Sequence, residues 1–203
     1  MSYQLLKQDV LFYQRFLKAN ELYTDTLDGK WGSLTNKADE DFVNQSTAIA
    51  NQYGTFDTRS ESCIITLVLK AQIEARKFLQ VAKDNNKDIR ILSGTRTYAE
   101  QDVLYSKGRN GIRGPIVTNA KGGQSNHNFG IAWDIGVFDA NGNYVTDDSA
   151  YRSFSAIVLP KMDTIEWGGN WRTFKDYPHY QLIAVSESVT AVRKLFESGN
   201  KYI

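Results

Sequence analysis

Two histidines are all this chain has, and each lies in a stretch dense with residues that carry chemistry. His127 sits in Ser125-Asn126-His127-Asn128-Phe129-Gly130-Ile131-Ala132-Trp133-Asp134. His179 closes a run from Glu166-Trp167-Gly168-Gly169-Asn170-Trp171 to Asp176-Tyr177-Pro178-His179-Tyr180-Gln181. Taken as one metal site, these stretches oblige the fold to bring residue 127 beside residue 179. With Asp134 they offer two imidazoles and one carboxylate, three protein ligands for a tetrahedral Zn²⁺. The fourth position stays open for water, the ligand count of a catalytic rather than a structural site. The same donors describe the facial triad of non-haem iron oxygenases. Those place one residue between the first two ligands, whereas six separate His127 from Asp134, which favours zinc.

Local patterning supports the geometry. From Gly130 to Ile135 the residues alternate, with Ile131, Trp133 and Ile135 on one side of a strand and Gly130, Ala132 and Asp134 on the other. His127 then falls on the turn that Asn126 to Gly130 supplies. Pro178 argues against a helix and for an extended approach to His179. His179 and Gln181 share a face, with Tyr180 and Leu182 behind. A water activated by zinc still needs a proton acceptor and a shuttle to the leaving amine. Asp176, three residues before His179, is the first choice for that role. Glu166 is its rival, against the ordinary reading of a solvated side chain. Trp167 and Trp171 read as core or groove wall.

Upstream, Ile64 to Asn85 reads as a core-facing helix with Leu67, Ala71, Ala75, Phe78, Leu79 and Ala82 on one side, and Cys63 at its start reads as inert. Ile89 to Leu92 is a short strand. Thr97 with Glu100 forms a capping box, so a helix runs from there to about Ser106. Arg96 therefore lies on a strand-to-helix loop. It is either a surface arginine or an anion clamp, since a guanidinium offers paired planar donors to a carboxylate or developing oxyanion. The glycine-rich, basic stretch from Lys107 to Gln124 lacks the Gly-Lys-Ser/Thr ending of a phosphate loop and reads as a loop leading into the site. Asp139 to Asn143 and Asp147-Asp148 read as a hairpin turn in preference to a loop ion site.

The N-terminal third has helical spacing from Leu5 to about Leu22, a turn at Asp28-Gly29-Lys30-Trp31-Gly32, and a second helix from Ser33 through Val43. Asn44 to Glu61 reads as a polar linker. A net charge of +1 over 203 residues gives no electrostatic case for nucleic acid or an anionic membrane surface. A single cysteine excludes an intramolecular disulfide and Cys-rich zinc sites. No basic, then apolar, leader and no bilayer-length apolar run is present, so the expected product is cytoplasmic when synthesised and acts on any external target only after release or delivery.

Jointly, Ser125-X-His127-X-X-Gly130-X-Ala132-X-Asp134, Trp167-Gly168-Gly169-X-Trp171, Asp176-X-Pro178-His179-X-Gln181 and the upstream Ser93-Gly94-Thr95-Arg96-Thr97 with Glu100-Gln101 resemble the zinc D-Ala-D-Ala carboxypeptidase / L-alanyl-D-glutamate endopeptidase family. The resemblance covers about residues 58–185. It implies an α+β fold, a small central antiparallel sheet flanked by helices with the zinc in a cleft. By position, His127, Asp134 and His179 would bind zinc, Asp176 would be the general base, and Arg96 would orient the substrate or stabilise the oxyanion. Many relatives carry Glu in place of Asp176, and the endolysin-like branch carries Asp. The implied activity is hydrolysis of a peptidoglycan stem-peptide bond, L-Ala-D-Glu before terminal D-Ala-D-Ala. The alternative of another class is a metal-containing wall-binding protein without hydrolysis. Tyr13-Gln14, Leu17, Leu22-Tyr23, Asp28-Gly29, Trp31-Gly32, Thr35, Ala38 and Phe42 resemble the small helical peptidoglycan-binding repeat. The expected organisation is thus a helical domain over 1–52 and a zinc peptidase domain over 53–203, in a monomer that binds neither nucleic acid nor membrane.

Overall fold

The computed structural model describes residues 6–109 and 111–203; the expected helix start at Leu5 lies outside them. Helix α1 (Val10–Ala19) is capped by Asp9, whose carboxylate accepts the Phe12 N–H at 3.0 Å. It buries Phe12, Tyr13, Phe16 and Leu17. The turn that follows is built on Gln14, fully buried. Its amide NH₂ donates to Asp28 Oδ1 and to the Lys30 carbonyl, and its Oε1 accepts the Gly29 N–H at 2.8 Å. Gly29 sits at φ +69°, where a glycine meets no steric penalty.

Two boundaries differ from the sequence reading. The polar segment from Asn44 is no linker: helix α2 runs Ser33–Tyr53, and α3 (Thr58–Ile64) follows with Asp57 as its cap. The tail of α2 is held by a polar contact, the Ser46 hydroxyl donating to Gln72 Oε1 at 2.7 Å with both residues buried. Hydrophobic periodicity does not register such a contact. The expected helix from Ile64 is interrupted between Ile64 and Leu69, and α4 spans Leu69–Asp84. Its leading amides bond elsewhere, Val68 N–H to the Gly130 carbonyl at 3.0 Å and Leu69 N–H to Asn20 Oδ1 at 2.6 Å. Tertiary partners thus outbid helix continuation.

The sheet has five strands: β1 (Asp88–Ser93), β2 (Ala132–Phe138), β3 (Tyr144–Val145), β4 (Ile165–Trp167) and β5 (His179–Leu182). They pair antiparallel in the order β1-β2-β5-β4, with β3 also paired to β2. The β2–β3 hairpin turns on Asp139, whose carboxylate accepts the Asn141 and Asn143 N–H groups. One face of the sheet carries Trp133, Ile135, Tyr180, Leu182 and Trp167, all buried. Helices α4 and α6 (Asp148–Val158) cover it, with the Phe78 ring centroid 5.9 Å from Trp133, 5.1 Å from Phe154 and 4.7 Å from Tyr180. The period-2 alternation of β-strands puts Asp134, His179, Gln181 and Glu166 on the opposite face. Helix α5 (Tyr98–Ser106), opened by the Thr97–Glu100 capping box, and helix α7 (Val189–Ser198) complete the long helices of the described residues. This is an α+β fold with a small antiparallel sheet flanked by helices.

The N-terminal helices share the hydrophobic core of the rest of the described chain. Phe12 packs on Phe196 of α7 with centroids 5.4 Å apart. Phe16 and Val68 close on Gly130 so tightly that a Cβ there would lie 2.9 Å from each. Among the described residues no helix is long and apolar enough to cross a membrane.

Candidate active site

Strand pairing assembles the cluster. Asp134 on β2 is the register partner of His179 on β5 and of Ser93 on β1. His127 comes from a 3-10 turn, Asn126–Phe129, that ends on Gly130 at φ +73° just before β2. His127 Nε2 lies 3.0 Å from Asp134 Oδ1 and 3.2 Å from His179 Nδ1, and His179 Nδ1 lies 3.2 Å from the same oxygen. Ligands of a tetrahedral zinc with bonds of 2.0–2.1 Å sit about 3.3 Å from one another. The triangle already has that size.

The other ring nitrogens settle which atoms face inward. His127 Nδ1 lies 2.7 Å from the Gly94 carbonyl, which only accepts, so Nδ1 carries a hydrogen. His179 Nε2 is likewise bonded to Gln181 Oε1 at 2.8 Å. With those hydrogens placed, His127 Nε2, His179 Nδ1 and Asp134 Oδ1 are three lone-pair atoms converging on one point. Such a set needs a cation or a proton between its members. Both imidazoles are buried, while the Asp134 side chain is 26% exposed, so the cluster is closed behind and open in front. The donor set fits zinc with one position left for a small ligand.

Electrostatics follow the packing. Burial, helped by the Arg96 guanidinium, lowers His127 to about 4. Burial works to lower His179 too, but the hydrogen bond and charge of Asp134 outweigh it and hold His179 above the ordinary value. For Asp134 the penalty of burial is overcome by the two imidazoles, which keep it well below the usual carboxylate range.

Arg96 emerges from β1 into the cluster. Its guanidinium donates to Ser93 Oγ at 3.0 Å and stands 3.6 Å from Asp134 Oδ2, while its buried Nε–H has no partner among the described residues. Asp176 lies at the head of the turn into His179: its N–H donates to the Gly168 carbonyl, and its own carbonyl accepts the His179 N–H. Burial raises its carboxyl, and the charge of Asp134 raises it further, a direction that suits a general base. Glu166 points elsewhere. It accepts a hydrogen bond from Gln181 Nε2 and so stands behind His179. Trp167 is core, its Nε1–H bonded to the Tyr177 carbonyl. Trp171 lines the site, with its ring 4.9 Å from that of His179.

The supporting roles of three residues were not assigned from the sequence. Gly94 must be glycine because a Cβ there would fall 2.6 Å from the Cys63 carbonyl, and its own carbonyl fixes His127. Asn128, fully buried, ties three loops together: its amide NH₂ donates to the Arg96 carbonyl and its Oδ1 accepts the Gly123 N–H. Tyr202 donates to the Phe129 carbonyl at 2.6 Å. The Ser-Gly-Thr-Arg string signalled the first; the others depend on contacts far apart in sequence.

The sequence profile of the D-alanyl-D-alanine carboxypeptidase family matches residues 118–182, a span that holds His127, Asp134, Asp176 and His179. Over 123 residues the chain is 37% identical to the peptidoglycan L-alanyl-D-glutamate endopeptidase CwlK of Bacillus subtilis (strain 168), covering 57% of this chain and 72% of that protein. The crystal structure of the Serratia marcescens L-Ala D-Glu endopeptidase ChiX aligns at 24% identity and a TM-score of 0.47, over 63% of this chain and 89% of that one. The chain belongs to the D-alanyl-D-alanine carboxypeptidase / L-alanyl-D-glutamate endopeptidase family of peptidases.

Proposed function

We propose that this chain is a zinc-dependent peptidoglycan peptidase that hydrolyses the L-Ala-D-Glu amide bond of the stem peptide. The observation that carries the reading is the convergence of His127 Nε2, His179 Nδ1 and Asp134 Oδ1 on one point, with a carboxyl held above its ordinary range at Asp176 beside them. Identity to CwlK supports the choice of bond. His127, Asp134 and His179 would hold zinc there, and the metal would supply Lewis acidity to the reaction. Asp176 takes the proton from the attacking water and delivers it to the leaving amine. Arg96 offers its guanidinium N–H groups to the oxygen on which negative charge develops. The Asp134 carboxylate, with its Oδ2 3.6 Å from the Arg96 guanidinium, helps hold that group in place. Trp171 walls the same cleft.

The helical segment over 1–52 is proposed to hold the wall while the site cuts it. Trp31 stays 40% exposed although stacked on Tyr13 at 5.8 Å, a flat apolar surface of the kind that sugar rings cover. The protein is proposed to be made in the cytoplasm and to reach the wall after release.

Purified peptidoglycan digested with and without a chelator, followed by mass spectrometry of the released ends, tests the activity. New D-Glu amino termini that vanish with chelator and return with Zn²⁺ are expected. Free D-Ala would move the chain to the carboxypeptidases, and intact wall would favour binding without hydrolysis.

A further inference from the structure

Glu166 has no place in the chemistry above, yet it is joined to a ligand through one intermediate. It pairs in register with Gln181 across β4 and β5 and accepts from Gln181 Nε2. Gln181 is buried, and its Oε1 accepts from His179 Nε2 at 2.8 Å and from Asn126 Nδ2 at 2.8 Å. A side-chain amide has one accepting end and one donating end, and either can face either way. A carboxylate only accepts. Glu166 therefore compels Gln181 to turn its NH₂ outward and its oxygen toward His179. An oxygen there requires the hydrogen of His179 on Nε2, which leaves Nδ1 as the atom with a lone pair facing His127 and Asp134.

We infer that Glu166 is a positioning residue that sets the tautomer of His179 through Gln181, so that Nδ1 is presented to the metal. The inference rests on the metal-site reading given above. With Glu166 absent, Gln181 is free to reverse. A reversed amide would donate to His179 Nε2, place the ring hydrogen on Nδ1, and set that hydrogen where the metal must bind. Partners of this kind behind a ligating histidine are worth about 10–100-fold in metal affinity. The arrangement assigns to Glu166 a role opposite to that of a general base: it never meets the substrate, and it acts on the ligand rather than on water.

The test is zinc affinity, measured by titrating Zn²⁺ alone into the full chain against a chromophoric chelator, with thermal unfolding of the metal-free protein recorded in parallel. Glu166→Ala is expected to weaken zinc binding about 10–100-fold with little change in metal-free unfolding, since Glu166 is only half-buried. The exchanged pair Glu166→Gln with Gln181→Glu is expected to recover near-native affinity. There the new carboxylate at 181 takes the His179 Nε2–H itself, and the amide at 166 donates to it. Unchanged affinity in Glu166→Ala overturns the inference, as does an exchanged pair that folds and binds no better than Glu166→Ala. Wild-type protein that fails to bind zinc overturns the metal-site reading, and this inference with it.

Discussion

Gly168 and Asp176 touch backbone to backbone: a Cβ built on Gly168 would stand 2.5 Å from the Asp176 carbonyl oxygen and 3.1 Å from the His179 Cβ. A side chain can swing away from such a clash, but a carbonyl that already accepts the His179 N–H cannot. The glycine after Trp167 is thus the seat on which Asp176 and His179 rest. Gly168→Ala is expected to push the Asp176 turn outward and to lower kcat about 10²-fold, the scale of a misplacement near 1 Å. Zinc binding should weaken less, because Asp134 and His127 are untouched. Steady-state kinetics beside a chelator titration checks both, and an unchanged kcat would show that the turn tolerates the methyl group.

Asp176→Asn separates catalysis from stability. Loss of the base should reduce kcat by about 10²–10⁴-fold while zinc stays bound. In the metal-free protein the same change should raise the unfolding temperature at neutral pH. Burial lifts the Asp176 carboxyl above its unfolded value, so folding favours the protonated form. The ionised form then weakens the native state once pH rises through that raised value, and below the unfolded value the penalty is gone. The gap between variant and wild type should therefore open as pH rises and close on acidification below about 4. A gap that is constant with pH would contradict this account.

Metal uptake should expel a proton. His179 holds a raised pKa in the metal-free cluster through Asp134, whereas His127, lowered to about 4, is already neutral near pH 6. Binding Zn²⁺ near that pH should release about one proton, and affinity should fall as pH drops through the His179 titration. Calorimetric titration of zinc in two buffers of different ionisation enthalpy counts the proton. A release near two would mean that His127 is charged as well.

Phe16→Ala should damage more than the N-terminal helices. Phe16 is fully buried, meets Phe42 edge-on at 5.2 Å, and abuts Gly130 at the end of the His127 turn. Truncation of a buried phenylalanine costs about 3–5 kcal/mol, read from the denaturant midpoint. Because the shared core runs on to the turn that carries His127, zinc affinity should fall too. Native zinc affinity in a destabilised Phe16→Ala protein would show that the helices and the site are uncoupled.

The placement of the cluster was legible in sequence because it obeys strand arithmetic. His127 had to precede the strand that bears Asp134, and Pro178 had to deliver His179 in an extended chain; β2 and β5 do both. The Thr97–Glu100 cap was legible for a similar local reason. What stayed hidden depends on polar contacts between distant residues. Ser46 on Gln72 keeps α2 helical through a stretch that reads as linker. Asn20 captures the Leu69 N–H and starts α4 late. Glu166 looked like a competitor of Asp176, because nothing in its sequence neighbourhood reveals that Gln181 faces it across the sheet.

Asp134 and His179 alternate on their strands with Trp133 and Tyr180, whose rings lie against Phe78 in the interior. The proposed ligands and the core residues are consecutive on the same backbone, so neither can shift alone. Zinc held at the proposed site would then double as a gauge of how well the interior is packed. A substitution at Phe78, far from any substrate, should announce itself as a faster rate of zinc loss at temperatures where the protein is still folded.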